Sequence, residues 1–366
     1  MAEQSAASGP LPPGSTIGIL GGGQLGRMIS VAASRLGLQC HIFEPDAEPP
    51  AGQVAAAVTT APYDDVDAVR AFAAAVDVVT FEFENVPAST LDLIEDQVAI
   101  HPTRRALAVS QDRLDEKAYI SSLGIPVADH AEVSSRSDLA AAVSSTGGPG
   151  IVKTRRFGYD GKGQVRIGSA PTDGEIDEAW AELKGAPAIF EAMVPFTQEI
   201  SVIVARSAAG EVVCFDPGVN VHRHGILHTT TVNGSLPPET VTAAIDIATR
   251  IVDALSYVGV MGVELFDTDS GLLVNEIAPR VHNSGHWTTE ACVVDQFQQH
   301  VRAIAGWPLG DGSRHSDAVM TNLIGDEIDA WPHLAAEPGV GVHLYGKGAS
   351  RPGRKMGHVT QISLRH

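Results

Sequence analysis

Apolar positions along the first hundred or so residues alternate between two periods. Thr16–Leu20 is a short apolar run and predicts a strand. After a glycine-rich turn, Leu25, Met28, Ile29, Ala32 and Leu36 fall on one helical face, and Gly37 marks the helix end. Residues 39–44 read as the next strand, 64–75 as a helix and 76–83 as a further strand. Strands alternating with helices predict a parallel sheet covered by helices, running to about Ser110. Residues 111–123 read as a connecting helix closed by Gly124. Beyond it the punctuation changes. Residues 150–153, 165–167, 188–191 and 199–205 are predicted strands, and 155–164 is a loop crowded with glycine and charge. Residues 241–255 predict a helix with Val241, Ile245, Ala248, Val252 and Leu255 on its apolar face. Residues 260–266 and 272–278 flank a Thr-Asp-Ser-Gly turn and predict a hairpin. From about Trp307 the chain is short and holds a basic Gly/Pro segment.

Composition narrows the classes. At 366 residues and 44% apolar content, the chain can bury two or three packed units without disulfide support. A formal charge of −19 leaves no overall basic footprint for a nucleic acid. Cys40, Cys214 and Cys292 lie far apart, match no metal-ligand spacing and suit a reducing cytosol, so a cytoplasmic protein is expected. No apolar stretch approaches the length of a membrane span. Residues 1–13 lack the basic start and apolar middle of a signal peptide and read as a loose tail.

Four segments carry candidate chemistry. Gly21, Gly23 and Gly26 satisfy G-x-G-x-x-G between strand and helix, with Glu44 ending the next strand. That is a dinucleotide fingerprint, but the same turn suits another anion at the helix N-terminus or no ligand at all. Lys153 precedes a loop holding Arg155, Arg156, Lys162 and three glycines, a combination suited to a triphosphate and equally to a solvated hairpin. With the hairpin turn centred at Ser270, Glu264 and Glu276 fall opposite each other and share a face with Gly262, Phe266, Val274 and Ala278. Facing carboxylates repel, and a hard divalent cation would neutralise them. Residues 278–286 then gather Arg280, His282, Asn283, Ser284 and His286 beside that pair.

At these residues the chain resembles the 5-(carboxyamino)imidazole ribonucleotide synthases, ATP-grasp enzymes of bacterial and fungal purine synthesis. The similarity is carried by residues 18–28, 158–164, 259–264, 275–287 and 351–358, and spans nearly the whole chain after residue 15. It implies an α/β fold: a tail at 1–14, a pre-ATP-grasp (Rossmann-like) parallel-sheet domain at 15–112, an ATP-grasp domain of two α+β subdomains at 113–306, and a small C-terminal cap at 307–366. It implies that ATP phosphorylates bicarbonate. The carboxyphosphate, or carbon dioxide released from it in place, then meets the exocyclic amine of 5-aminoimidazole ribonucleotide. By resemblance, Arg113 and Lys153 contact the nucleotide, and a flap of Gly158, Tyr159, Asp160, Gly161, Lys162, Gly163 and Gln164 covers its phosphates. Glu191, Ala192, Met193 and Val194 form the adenine-side hinge, Glu199 takes the ribose, His222 lies near the nucleotide, and Asn275 and Glu276 end that site. Glu264 and Glu276 hold magnesium, expected as two ions. Tyr159, Asp160, Lys162, Arg280, His282, Asn283, Ser284, Lys347 and Arg354, extended to Glu84, match positions that bind the aminoimidazole nucleotide. Lys153, Tyr159, Asp160 and Arg280 are the expected catalytic group, and a homodimer is implied. In the architecture so implied, the Gly21–Gly26 helix N-terminus faces the small substrates. Two departures stand out. Ala278 occupies a position where many ATP-grasp enzymes carry Asn or Asp, so one metal ligand is missing or comes from elsewhere. The chain also stops eight residues after His358, so a shortened cap is expected. Three other readings stay open: a ligase joining formate to glycinamide ribonucleotide, a nicotinamide-dependent oxidoreductase, and a non-catalytic nucleotide sensor.

Overall fold

The computed structural model describes residues 9–158 and 163–365. The expected flap residues Tyr159, Asp160, Gly161 and Lys162 lie outside the described residues. Residues 9–14, expected to be loose, are held in place. Leu11 N–H donates to Ala305 O at 2.8 Å, and Trp307 Nε1 donates to Leu11 O at 2.7 Å.

The first sheet is parallel, ordered Ala57–Thr59, Gln39–Phe43, Thr16–Leu20, Val78–Phe81. Both faces are covered, as parallel strands require. Ile17, Ile19 and Ile42 pack under Leu25, Ile29 and Ala32 of the helix Gln24–Arg35, with Met28 and Leu36 at its rim. Leu20, Phe43 and Phe81 pack against Val69 and Phe72 of the helix Val66–Ala74. Asp65 caps that second helix by accepting from Ala68 N–H at 3.0 Å, so the helix begins at Val66 and not at position 64.

A second sheet is antiparallel, ordered His130–Val133, Ala188–Ala192, Gly150–Thr154, Gln164–Ile167. The helices Arg136–Thr146 and Asp173–Glu182 cover one face of it. The third sheet has nine strands among the described residues. Its path runs Gly271–Ala278, Gly259–Thr268, Gln198–Arg206, Gly218–Arg223, Ile226–Val232, Ser316–Ile324, Lys355–Leu364, Val340–Leu344, and the ninth strand, Val212–Cys214, pairs with Gln198–Arg206 off this path. The C-terminal strands therefore continue this sheet through the pairing of Thr231 with Val319. One face packs on the helix Pro238–Ala254 through Val202, Val204, Met261, Val263 and Val274.

The opposite face of that sheet is divided along its strands. At one end Ile203, Ala205 and Val260 join Phe297, Val301 and Ile304 of the helix Gln296–Ile304, in the same core that underlies the first sheet. At the other end the register places Glu264 beside Ser201 and Phe266 beside Glu199. Residues two apart on a strand share a face, so the apolar row runs directly into a polar one.

The hairpin corrects one detail of the sequence reading. Glu264 does pair with Glu276. The turn, however, is the two residues Asp269 and Ser270 between paired Thr268 and Gly271, and Leu265 pairs with Val274. Asn275 is the extra residue of a β-bulge, which restores the register at the glutamates. Val274 accordingly points into the core with no exposure, not onto the glutamate face.

Candidate active site

The glycine turn is already occupied by the chain's own carboxylates. Gly21 takes φ +105°, a backbone conformation that favours glycine. Gly23 N–H donates to one oxygen of Glu82, and Gly26 N–H donates to the other at 2.7 Å. Gly22 N–H donates to Glu44 at 2.7 Å. A Cβ on Gly23 would stand 2.5 Å from the Glu82 oxygen. Glu82 thus fills the place a pyrophosphate takes in a dinucleotide fold, and Glu44 closes the turn instead of holding a ribose. Burial pushes the Glu82 carboxyl up, while the two backbone N–H groups pull it down. The nicotinamide reading fails on this geometry, and so does the expectation that these N–H groups meet a small anionic substrate.

On the nucleotide side, Lys153 is next to last in the strand Gly150–Thr154 and its Nζ lies 2.8 Å from Glu191 Oε2. Burial lowers the Lys153 pKa, against the pull of Glu191. Burial would raise Glu191, but Lys153 and Lys117 hold it below the usual carboxylate range. Arg113 opens the helix Arg113–Ser122, which Asp112 caps by accepting from Leu114 N–H at 3.0 Å. The Arg113 guanidinium donates to Glu276 Oε2 at 3.0 Å and to Gly158 O at 3.4 Å, tying the start of the flap to the hairpin. At the flap's far end, Thr154 N–H donates to Gly163 O at 2.8 Å, and Gln164 begins the return strand. Ala192 and Met193 leave the hinge strand with their N–H groups bound to Asp129 O and Pro149 O, and Val194 follows, half-buried. Glu199 Oε2 lies 2.5 Å from His222 Nδ1.

The glutamate pair sits between these groups and the 280–284 segment. Burial and the neighbouring Glu276 push Glu264 up to about 7. Burial would raise Glu276 too, but Arg113 holds it down at about 2. Around Glu264, Asn275 Nδ2 lies at 3.5 Å and His282 Nε2 at 3.7 Å, neither a close compensating charge. His222 and Lys355 also act on Glu264, but they do not offset burial and the facing Glu276, and its carboxyl stays raised. Two carboxylates in that condition fit a hard divalent cation, although Ala278 offers no further side-chain donor.

Beyond the pair, Arg280 grips Glu84 through Nε at 2.7 Å and Nη2 at 3.3 Å. Gln111 donates to Glu84 O and Val86 O at 2.8 Å each and accepts from Arg156 at 2.8 Å. His282 bonds Ser284 Oγ through Nδ1 at 2.8 Å, and burial lowers its pKa to about 3, so it is neutral at pH 7. Gln296 clamps the His282 backbone on both sides, at 2.9 and 2.8 Å. Asn283 and Asn322 exchange amide bonds at 2.9 and 2.7 Å. Lys347 donates to Lys355 O at 2.9 Å and lies over the Tyr345 ring, while Arg354 donates to Ala349 O at 3.1 Å. Gly346 O, next to Lys347, accepts from Gln53 Nε2 at 2.9 Å, which brings this loop against the first unit.

Several residues that build the site were not singled out in the sequence. Glu82, Gln111, Gln296 and Asn322 hold the backbone or side chains of those that were. Lys117 and Glu116 dock the helix Arg113–Ser122 on the bulged strand. Lys117 Nζ donates to Asn275 O at 3.1 Å, and Glu116 accepts from Ile277 N–H at 2.7 Å. Positions 113, 116 and 117 share one helical face, a spacing visible in the sequence once Arg113 is suspected.

Three domain families match in succession: a ribonucleotide synthetase preATP-grasp domain at residues 15–111, an ATP-grasp domain at 118–297, and a phosphoribosylaminoimidazole carboxylase C-terminal domain at 318–365. The N5-carboxyaminoimidazole ribonucleotide synthase of Brucella melitensis biotype 1 is 51% identical over 356 residues, covering 97% of this chain and 98% of that one. A crystal structure of an N5-carboxyaminoimidazole ribonucleotide synthetase with ADP matches with TM-score 0.93 and 39% identity, over 97% of this chain and 94% of that one. The Aspergillus clavatus N5-carboxyaminoimidazole synthase, solved with ADP and 5-aminoimidazole ribonucleotide, matches with TM-score 0.90 and 32% identity, over 96% and 95%. Pre-ATP-grasp unit, ATP-grasp unit and C-terminal cap are all present, and the chain belongs to the N5-carboxyaminoimidazole ribonucleotide synthase family of ATP-grasp ligases.

Proposed function

We propose that the protein carboxylates 5-aminoimidazole ribonucleotide on its exocyclic amine, using bicarbonate and ATP and releasing ADP and phosphate. One observation carries this reading. Glu264 and Glu276 lie at the polar end of one sheet face, with Arg113 and Lys153 on one side and the Glu84–Arg280 pair on the other, near enough for Glu276 to bias both. A bicarbonate oxygen attacks the γ-phosphorus, the bond to the β–γ bridging oxygen breaks, and ADP leaves. The amine nitrogen then attacks the carboxyl carbon, phosphate departs, and the amine gives up a proton. Lys153 and Arg113 orient the ATP phosphates, since phosphoryl transfer depends on positioning and charge more than on covalent help. Glu264 and Glu276 would hold magnesium, two ions in this reading, which neutralises the transferring phosphoryl group when bound. Arg280, His282, Asn283 and Ser284 border the reacting amine, and Glu84 holds Arg280 in place. Lys347 and Arg354 take the substrate's phosphate, away from the reacting centre. Carboxyphosphate hydrolyses readily, and a flap over residues 158–164 would keep water out.

The test is phosphate release from ATP with bicarbonate, with and without the aminoimidazole nucleotide. Stimulation by that nucleotide is expected. Turnover with formate and glycinamide ribonucleotide, and none with the aminoimidazole, would establish the sister ligase instead. ATP binding without turnover would leave a sensor. We also infer a cytoplasmic homodimer. No helix among the described residues is long and apolar enough to cross a membrane. A stable monomer in sedimentation at micromolar concentration overturns the dimer.

A further inference from the structure

One buried cation has no part in the reaction as just described. Lys117 has a side chain 2% exposed, with Nζ 3.6 Å from Glu191 Oε1 and 3.1 Å from Asn275 O. The other oxygen of Glu191 lies 2.8 Å from Lys153 Nζ. A single carboxylate is thus shared by two ammonium groups that come from different layers of the fold. Lys153 belongs to the small sheet, and Lys117 to the helix that docks on the glutamate hairpin.

The two lysines differ in freedom. Lys117 is sealed, and its second partner is the carbonyl of the bulged Asn275, a backbone group outside the regular hairpin ladder that needs a donor. Lys153 is 13% exposed and sits where the strand runs into the flap. A lysine drawn toward a polyphosphate must loosen a 2.8 Å bond to a carboxylate. Without Lys117, that movement would leave buried Glu191 with only the weaker pull of Arg113, which is unfavourable.

We propose that Lys117 is a resident counter-ion for Glu191, a positioning residue that keeps this carboxylate compensated and so releases Lys153 to the phosphates of a nucleoside triphosphate. The proposal rests on the reading that Lys153 contacts those phosphates. It makes Glu191 a resting partner for Lys153 when nucleotide is absent. It also couples the hinge strand to the glutamate hairpin through one side chain.

The experiment compares the full-length parent with K117M, E191Q, K117M/E191Q and K153M. Affinity for a non-hydrolysable ATP analogue with magnesium is measured by calorimetry, and KM for ATP is separated from kcat. K117M should bind the analogue about tenfold or more weakly, the scale of one lost charge-assisted contact. Adding E191Q to K117M should restore affinity to within about threefold of the parent, because no buried charge then holds Lys153. A purely structural role for Lys117 would not be repaired by a second buried substitution. K117M binding like the parent, or a double variant as weak as K117M, overturns the proposal. Should K117M fail to fold, K117Q is the second variant: it keeps an amide donor for Asn275 O but not the charge, it should bind the analogue about tenfold more weakly, and binding like the parent overturns the idea. Normal binding by K153M would instead remove the underlying reading of Lys153, whatever Lys117 does.

Discussion

Replacing either glutamate of the hairpin by glutamine should remove most turnover, yet the two changes should move the stability of the nucleotide-free protein in opposite directions. Glu264 is 14% exposed, and burial with the facing Glu276 raises it from 4.5 to about 7. One unit corresponds to ~1.36 kcal/mol, so the ionised carboxylate is unfavourable by at most ~3.4 kcal/mol, and by ~1–2 kcal/mol at a realistic interior dielectric. Glu264→Gln keeps the shape and removes that charge, so it should stabilise the metal-free protein by ~1–2 kcal/mol at pH 8. The sign follows from linkage. A carboxyl raised in the folded state adds stability below about 4.5 that is lost as pH rises through about 7. The gain from Glu264→Gln should therefore be small at pH 4.5, grow through neutrality and level off above pH 7. Glu276 behaves in the reverse way. Arg113 holds it down, and its contribution is present above about 4.5 and lost as pH falls through about 2. Its side chain is 36% exposed, so solvent screening limits the pair, and Glu276→Gln should cost ~0.5–1.5 kcal/mol by leaving Arg113 short of a partner. Both variants withdraw charge from the phosphoryl-transfer site, and kcat should fall by roughly 100-fold or more. The assays are urea unfolding in EDTA at pH 5 and pH 8, and phosphate release at saturating substrates. A Glu264→Gln protein less stable than the parent at pH 8, or near-normal turnover in either variant, would refute the reasoning.

Three further outcomes follow from particular contacts. Titration with NADH or NADPH should show no saturable binding, because Glu82 occupies the Gly23 and Gly26 N–H groups; binding abolished by Glu44→Ala would contradict this. Lys347→Ala and Arg354→Ala should each raise KM for the aminoimidazole nucleotide, at ~1.5–3 kcal/mol per lost charge-assisted contact, and leave KM for ATP nearly unchanged. An equal loss for ATP would mean the loop serves the other substrate. Val274→Ala should destabilise by ~1–2.5 kcal/mol in chemical unfolding with little change in kcat, as suits a core position made by the bulge; a catalytic loss without destabilisation would return it to the glutamate face.

The parallel sheet and the glutamate hairpin were legible because their signals are local. A Thr-Asp-Ser-Gly turn between two apolar runs fixes which residues lie opposite each other to within one position. The bulge at Asn275 was not legible, since a one-residue slip changes the face of Val274 without changing the pattern that announces the hairpin. The strands Gly218–Arg223 and Ile226–Val232 were missed for a related reason. Asn220 and Thr230 are buried against each other while Val221 is half exposed, so the apolar residues do not mark the buried face. The glycine fingerprint specified its backbone correctly and its occupant wrongly. What fills the turn is Glu82, 56 residues from Gly26, and no local pattern records that distance. Lys117 reads in the sequence as an ordinary helix lysine, and its partner carbonyl lies 158 residues away.

The continuous large sheet also bears on how the molecule is made. Ile226–Val232 pairs on one edge with Gly218–Arg223, but its other edge finds a neighbour only when Ser316–Ile324 has been synthesised, and that strand in turn needs Lys355–Leu364. At translation rates of roughly 5–20 residues per second, the strand edge stays open for several seconds after the hairpin bearing the glutamates has left the ribosome. During that interval its unpaired backbone groups are available to any extended segment nearby, including the same strand on a neighbouring nascent chain. Thr229, Thr230 and Thr231 lie on that edge, and their hydroxyls make it a more hydrated and less adhesive surface than three valines would present. The ligase site is consequently among the last parts of the protein to be completed, and a chain released before its final strand would carry both glutamates on an unfinished sheet.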